Sequence, residues 1–234
     1  MFSDEIKVIN VFSKAATCKS CFEGKFPISH SNVEGGQPRW IGKDYWTAEF
    51  KILFILTNPG SGNKTPSTSW KPSMKKLQSN KLEKKIEAWK ELQDINKGGM
   101  PSWGIWEEIY FHLTGLYQLR NEVGFLNIML CGAKDKDDNN AYPVGALKNC
   151  YLEDKQGYSS KILSILNPDI CILSGSAITN FFLKEGALDK NRDVKGESRL
   201  LSIEEFKISL PESLLNTEFF FMGLDIFKLA SGKL

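Results

Sequence analysis

Two asparagines and four cysteines carry the spacing in this chain that could do chemistry. Asn58 stands in Thr57-Asn58-Pro59-Gly60, directly after the apolar run Lys51-Ile-Leu-Phe-Ile-Leu56. Asn-Pro-Gly after a strand is ordinary chain-reversal chemistry. The functional alternative leaves the Asn58 carboxamide free at a strand end to orient a water. Asn127 is the strongly polar residue of an otherwise apolar stretch, Gly124–Leu130. A buried asparagine must find hydrogen-bond partners. Backbone could supply them, or the side chain could face a pocket and offer a donor and an acceptor to a base edge. Cys18 and Cys21 form a C-x-x-C pair, and Cys131 and Cys150 follow much later. Four thiolates in two groups can hold an iron–sulfur cluster or a zinc ion. The second pair is too widely spaced for a zinc-ribbon half-site, and chance burial is its other explanation. Cys171 lies inside an apolar run and reads as core.

The elements that must position these residues follow from periodicity. Glu5–Ala16 has helical spacing. Residues 27–46 are irregular and rich in glycine and aromatic side chains, including the stretch Gln37–Trp46. Lys51–Leu56, Gly124–Leu130, Asp169–Leu173, Phe206–Leu210 and Glu218–Met222 read as strands. Ser69–Ser79, Lys81–Asn96, Trp103–Gln118, Gly145–Leu166 and Ala177–Leu183 read as helices, Asp135–Pro143 as a polar loop, and Lys190–Glu197 as a charged one. Alternating strands and helices predict an α/β fold, a three-layer α/β/α sandwich with a central, mainly parallel sheet. Sites in such sheets gather at the carboxyl ends of strands. That would bring Thr57–Gly60, Cys131–Ala133, Ser174–Ser176 and Gly223 together.

Composition narrows the function classes. The chain has 234 residues and a net charge of +2, with 41% hydrophobic and 25% charged residues, as a globular protein would. No apolar run is long enough for a membrane span. The start, Met-Phe-Ser-Asp-Glu, lacks the features of a secretory signal, so a cytoplasmic location is expected. Structural disulfides are not expected there. Charge is uneven: Lys64, Lys71, Lys75, Lys76, Lys81, Lys84 and Lys85 fall between Ser61 and Lys85 against the single acid Glu83. Such a run is either a solvated helix face or a surface that neutralises phosphates.

Taken in order, these pieces resemble the iron–sulfur-containing branch of the uracil-DNA glycosylase superfamily. Its members open with C-x-x-C and place a catalytic loop after a strand. A base-reading Asn follows, four residues before a third Cys, then a fourth Cys on a helix and a strand ending in Leu-Gly. The counterparts here are Cys18 and Cys21, Thr57–Gly60, Asn127 with Cys131, Cys150, and Pro168–Gly175. The Asn-Pro-Gly loop is itself similar to the mismatch-specific and single-strand-selective branches, where the Asn positions the attacking water.

The resemblance implies one glycosylase-like domain over residues 1–234, with residues 1–47 an N-terminal extension tied by Cys18 and Cys21. It implies a monomer acting on DNA, and a structural 4Fe–4S cluster on Cys18, Cys21, Cys131 and Cys150, with zinc or no metal as the alternatives. It implies a monofunctional glycosylase for uracil or a modified pyrimidine, in repair or in defence against phage DNA. Asn58 would orient water, while Asn127, Trp70, Thr57 and Gly60 would hold the base. Lys64, Lys71, Lys75 and Gly223 would contact DNA. Two departures matter. The first is Asn58, where the iron–sulfur branch carries an acidic or neighbouring residue. The second is larger. The superfamily carries a His-Pro-Ser-like segment after the last strand, whereas the histidines here are His30 and His112 and Phe221–Asp225 stands in that place. The donor that this histidine gives to the departing base can be worth ~2.7–4 kcal/mol. A non-catalytic nucleic-acid-binding module with the same fold is therefore the second expectation.

Overall fold

The structure, a computed structural model, describes residues 2–30, 34–59, 70–99, 122–137, 139–152, 155–174, 177–178, 181–182, 199–201 and 218–222. In chain order the elements are α1 (Ser3–Ala15), β1 (Ser29–His30), β2 (Ile52–Leu56), α2 (Trp70–Leu77), α3 (Leu82–Gly99), β3 (Val123–Asn127), β4 (Ala133–Lys134), α4 (Val144–Tyr151), α5 (Tyr158–Leu166), β5 (Ile170–Ser174), β6 (Arg199–Leu201) and β7 (Glu218–Met222). The chain folds as two compact units. One comprises Met1–Trp40, Thr57–Asn96 and Leu126–Leu166, and the other Ile41–Leu56, Lys97–Phe125 and Asn167–Leu234.

The second unit holds most of a sheet with strand order β3-β2-β5-β7-β6. β2, β5 and β7 run parallel, and β6 pairs antiparallel with β7. This establishes a mixed α/β fold with a parallel three-strand centre. Ile52–Ile55 and Cys171–Leu173 are fully buried runs, the composition that parallel strands covered on both faces require. Asp169 fixes the register of the first pair. Its carboxylate accepts from the Lys51 N–H at 2.8 Å, and its own N–H donates to the Lys51 carbonyl at 2.9 Å. Phe54 of β2 stacks on Phe125 of β3, with ring centroids 4.9 Å apart.

The first unit is built from helices. α1 buries Val8, Ile9, Phe12 and Ala15 and packs against α5. Phe12 meets the Trp89 ring of α3, whose Nε1–H donates to Glu5 at 3.0 Å. α3 also holds the irregular segment near residue 38. Asn96 donates to the Pro38 carbonyl and Gln93 to the Arg39 carbonyl, each at 3.1 Å. Among the described residues no helix is long and apolar enough to cross a membrane.

Several expected boundaries move. Gly145–Leu166 is not one helix. α4 ends where Leu152 turns extended, and α5 starts after Gly157, whose φ of 57° belongs to the left-handed region that favours glycine. The Ser159 hydroxyl then donates to the Cys150 carbonyl at 3.0 Å, filling an acceptor that the broken helix left open. Gly124–Leu130 shortens to β3, and beyond its end the Met129 N–H donates to the Thr57 carbonyl. β6 was not expected from the sequence. Glu218–Met222 forms the strand its sequence predicts. Trp103–Gln118 and Phe206–Leu210 lie outside the described residues.

Gly35 and Gly36 sit against the end of α1. Gly35 has φ 80°, and a Cβ there would collide with the Ala16 carbonyl oxygen. Gly35→Ala is therefore expected to lower stability by about 1–3 kcal/mol, read from the urea midpoint. An unchanged midpoint would show that this approach is not maintained in solution.

Candidate functional site

The four cysteines singled out by spacing come together in the first unit. Cys18 and Cys21 lie on the turn that leaves α1, begun by the Cys18 N–H donating to the Ala15 carbonyl at 3.0 Å. Cys131 follows the bend after β3, and Cys150 sits in α4. All four line one small cavity with Phe22, Leu130 and Tyr158. Cys21, Cys131 and Cys150 are buried, Cys18 is half-buried, and none is in a disulfide. Cys171 lies apart, buried in β5.

The electrostatics of the cavity divide the thiols. Cys21 is held below the ordinary thiol range, first by a hydrogen bond with Cys150 and also by Asn149, whose Nδ2 donates to its sulfur at 3.3 Å. Cys150 is pushed up by the same Cys21 contact and by burial. Burial pushes Cys131 and Cys18 up. A thiolate is the metal-ligating form, and a bound cation compensates the cost of deprotonating buried thiols. The donor set suits a four-thiolate cluster, and the Asn149 N–H suits a hydrogen bond to a ligand sulfur. Among the described residues, no group of three or more His, Cys, Asp or Glu side chains is disposed to hold a single metal ion.

A second cluster of functional groups adjoins the chain leading to Cys131. The Met129 N–H to Thr57 carbonyl bond, 2.9 Å, brings the start of the Asn58 loop beside the segment that follows Asn127. Asn127 is 0% exposed, and neither its Oδ1 nor its Nδ2 has a hydrogen-bond partner among the described residues. Among the described residues, no backbone group satisfies it. Asn58 is engaged rather than free. Its Nδ2 donates to Asn140 Oδ1 at 2.9 Å and to the Ala141 carbonyl at 3.2 Å, and its Oδ1 accepts from Asn140 Nδ2 at 3.2 Å.

The other expected site residues fall in different places. Trp70 begins α2 with its ring buried and its Nε1 unpartnered among the described residues. Lys71 and Lys75 project exposed from α2. Part of the lysine run serves the fold instead: Lys76 pairs with Glu91 at 2.6 Å and Glu87 at 2.9 Å, and Lys85 donates to Asn10 at 3.3 Å. Gly60, Lys64 and Gly223 lie outside the described residues. Sequence reasoning missed Asn140 and Asn149, because a polar side chain in a polar loop or a helix carries no local sign of its distant partner. It also missed Arg39, whose guanidinium burial pushes down to about 10 and whose Nε is unpartnered among the described residues. No protein-family model matches the chain, and no curated protein matches it.

Two buried polar atoms at Asn127 without partners among the described residues cost stability. Asn127→Leu, close in shape and apolar, is expected to raise unfolding free energy by about 1–3 kcal/mol in urea titrations. A loss of stability would mean that the carboxamide is satisfied in solution.

Proposed function

We propose that the chain is a monofunctional DNA glycosylase that hydrolyses the N-glycosidic bond of uracil or a modified pyrimidine. The observation that carries this reading is the buried, unpartnered carboxamide of Asn127. Burying such a group unmet costs free energy that a ligand can return, and an amide's donor and acceptor side by side match the edge of a pyrimidine. The target nucleotide would be flipped out of the duplex. The exposed Lys71 and Lys75 would contact backbone phosphates, with Lys64 and Gly223 as further contacts.

In the proposed reaction the base stacks on Trp70, between Thr57 and Gly60, while Asn127 reads its edge. Asn58 holds a water against C1′. The C1′–N bond breaks with its electron pair leaving on the base, the water oxygen bonds C1′, and its proton passes to solvent. The four cysteines would hold a 4Fe–4S cluster whose contribution is structural, tying the turn after α1 to the Cys131 bend and to α4. A reducing cytoplasm suits five free thiols. The histidine-free last segment favours a second reading, a module that binds nucleic acid without turnover.

The two readings separate on a panel of duplexes carrying uracil and modified pyrimidines. A glycosylase leaves alkali-labile abasic sites on at least one of them, and Asn58→Ala slows release by about 10²-fold. Salt-dependent binding with no abasic site on any duplex establishes the module instead. For the metal, protein purified without oxygen is expected to carry about four irons per chain and to lose them in Cys131→Ala. An iron-free preparation that cannot be reconstituted would contradict the cluster.

A further inference from the structure

The carboxamide of an asparagine has two N–H donors and an oxygen with two lone pairs. In Asn58 nearly all of this capacity is spent. One N–H goes to Asn140 Oδ1 at 2.9 Å, the other to the Ala141 carbonyl at 3.2 Å, and Oδ1 accepts from Asn140 Nδ2 at 3.2 Å. A single lone pair on Oδ1 is left. We infer that Asn140 is a positioning residue that locks the Asn58 carboxamide in one orientation, so that Asn58 meets its water solely as a hydrogen-bond acceptor. The inference rests on the hydrolytic reading above and adds to it the polarity of the water site.

That polarity matters to the chemistry. A water that donates a hydrogen to Asn58 Oδ1 keeps a lone pair for C1′. A carboxamide turned through 180° would offer N–H to the water, occupy that lone pair and blunt the nucleophile. The Ala141 carbonyl opposes the turn because it would then face Oδ1 instead of an N–H, and the reciprocal bond with Asn140 opposes any turn of Asn58 alone. Asn140 is exposed and Asn58 half-buried, so these bonds compete with water and contribute little to folding. Their evident consequence is geometry.

The clamp is itself anchored. β4 pairs with β1, and Lys134 bridges to Asn140. The Ala141 N–H donates to the Ala133 carbonyl at 3.0 Å, and the Asp135 N–H to the Asn139 carbonyl at 2.9 Å. Asp135 Oδ1 accepts from the N–H groups of Asp137 and Asn139, each at 2.9 Å. A loop so closed on itself holds Asn140 and Ala141 at fixed places for a partner 82 residues away in sequence.

Two measurements test the inference. In single-turnover base release, Asn140→Ala is expected to slow the chemical step by about 10²-fold with duplex affinity unchanged. The Asn58→Ala/Asn140→Ala double variant should be no slower than the slower single variant. Asn140→Asp keeps the acceptor for Asn58 Nδ2 and should stay within about tenfold of the wild type. Wild-type rate in Asn140→Ala, or additive losses in the double variant, would overturn the inference. Independently of turnover, the Asn58 side-chain amide protons should exchange slowly by nuclear magnetic resonance, and faster in Asn140→Ala. If no duplex is turned over, the glycosylase reading fails and the amide exchange alone decides the clamp. Unchanged exchange in Asn140→Ala would then overturn it.

Discussion

One backbone hydrogen bond, from the Met129 N–H to the Thr57 carbonyl at 2.9 Å, ties the start of the Asn58 loop to the segment between Asn127 and Cys131. It lays the chain that follows Asn127 beside the residue preceding Asn58. One residue on, the Leu130 carbonyl accepts from the Gln37 N–H, also at 2.9 Å. The peptide from Ile128 to Leu130 is therefore held on two sides, by the Asn58 loop and by the segment that follows Gly35 and Gly36. Asn127 stands at its start and Cys131 at its end. Ile128, Met129 and Leu130 are themselves buried, so apolar burial reinforces what the two hydrogen bonds direct.

Around this seam the protein carries costs that folding alone does not return. Asn127 buries two polar atoms that have no partner among the described residues. Cys131 and Cys150 bury thiols whose ligating form burial opposes. Cores without a further role avoid an unpaired carboxamide, since an apolar side chain of similar shape would be no less stable. The costs sit at the two ends of one short segment. A base edge would answer the first, and a cationic cluster the second. Asn58 shows the opposite condition, a carboxamide fully committed except for one acceptor site, with no folding gain large enough to explain the arrangement.

Legibility in the sequence followed how local the cause was. β2 and β5 were readable because a strand buried on both faces is a continuous apolar run, β7 because Phe219–Met222 is apolar in sequence, and Asn167-Pro168 marks the end of α5 before β5. The gap between α4 and α5 was not readable, because it depends on the left-handed conformation of Gly157 and on the Ser159 contact. The four-cysteine set emerged from order along the chain. The spacing of Cys131 and Cys150 alone left chance burial open, and only tertiary packing shows them in one cavity. The lysine run was half legible: Lys71 and Lys75 are exposed, while Lys76 is taken by Glu87 and Glu91 from α3. The reciprocal bond of Asn58 with Asn140 could not be read at all, because nothing near either residue names the other.

The claim at the centre is that the Asn127 carboxamide waits for a base edge. Its side-chain amide resonance, followed while free uracil and modified pyrimidines are added one at a time to the wild-type protein, reports that contact directly. The account expects at least one pyrimidine to shift the resonance in a saturable way and to slow exchange of its amide protons. A resonance unmoved by every pyrimidine, with amide protons already protected in the free protein, would contradict it.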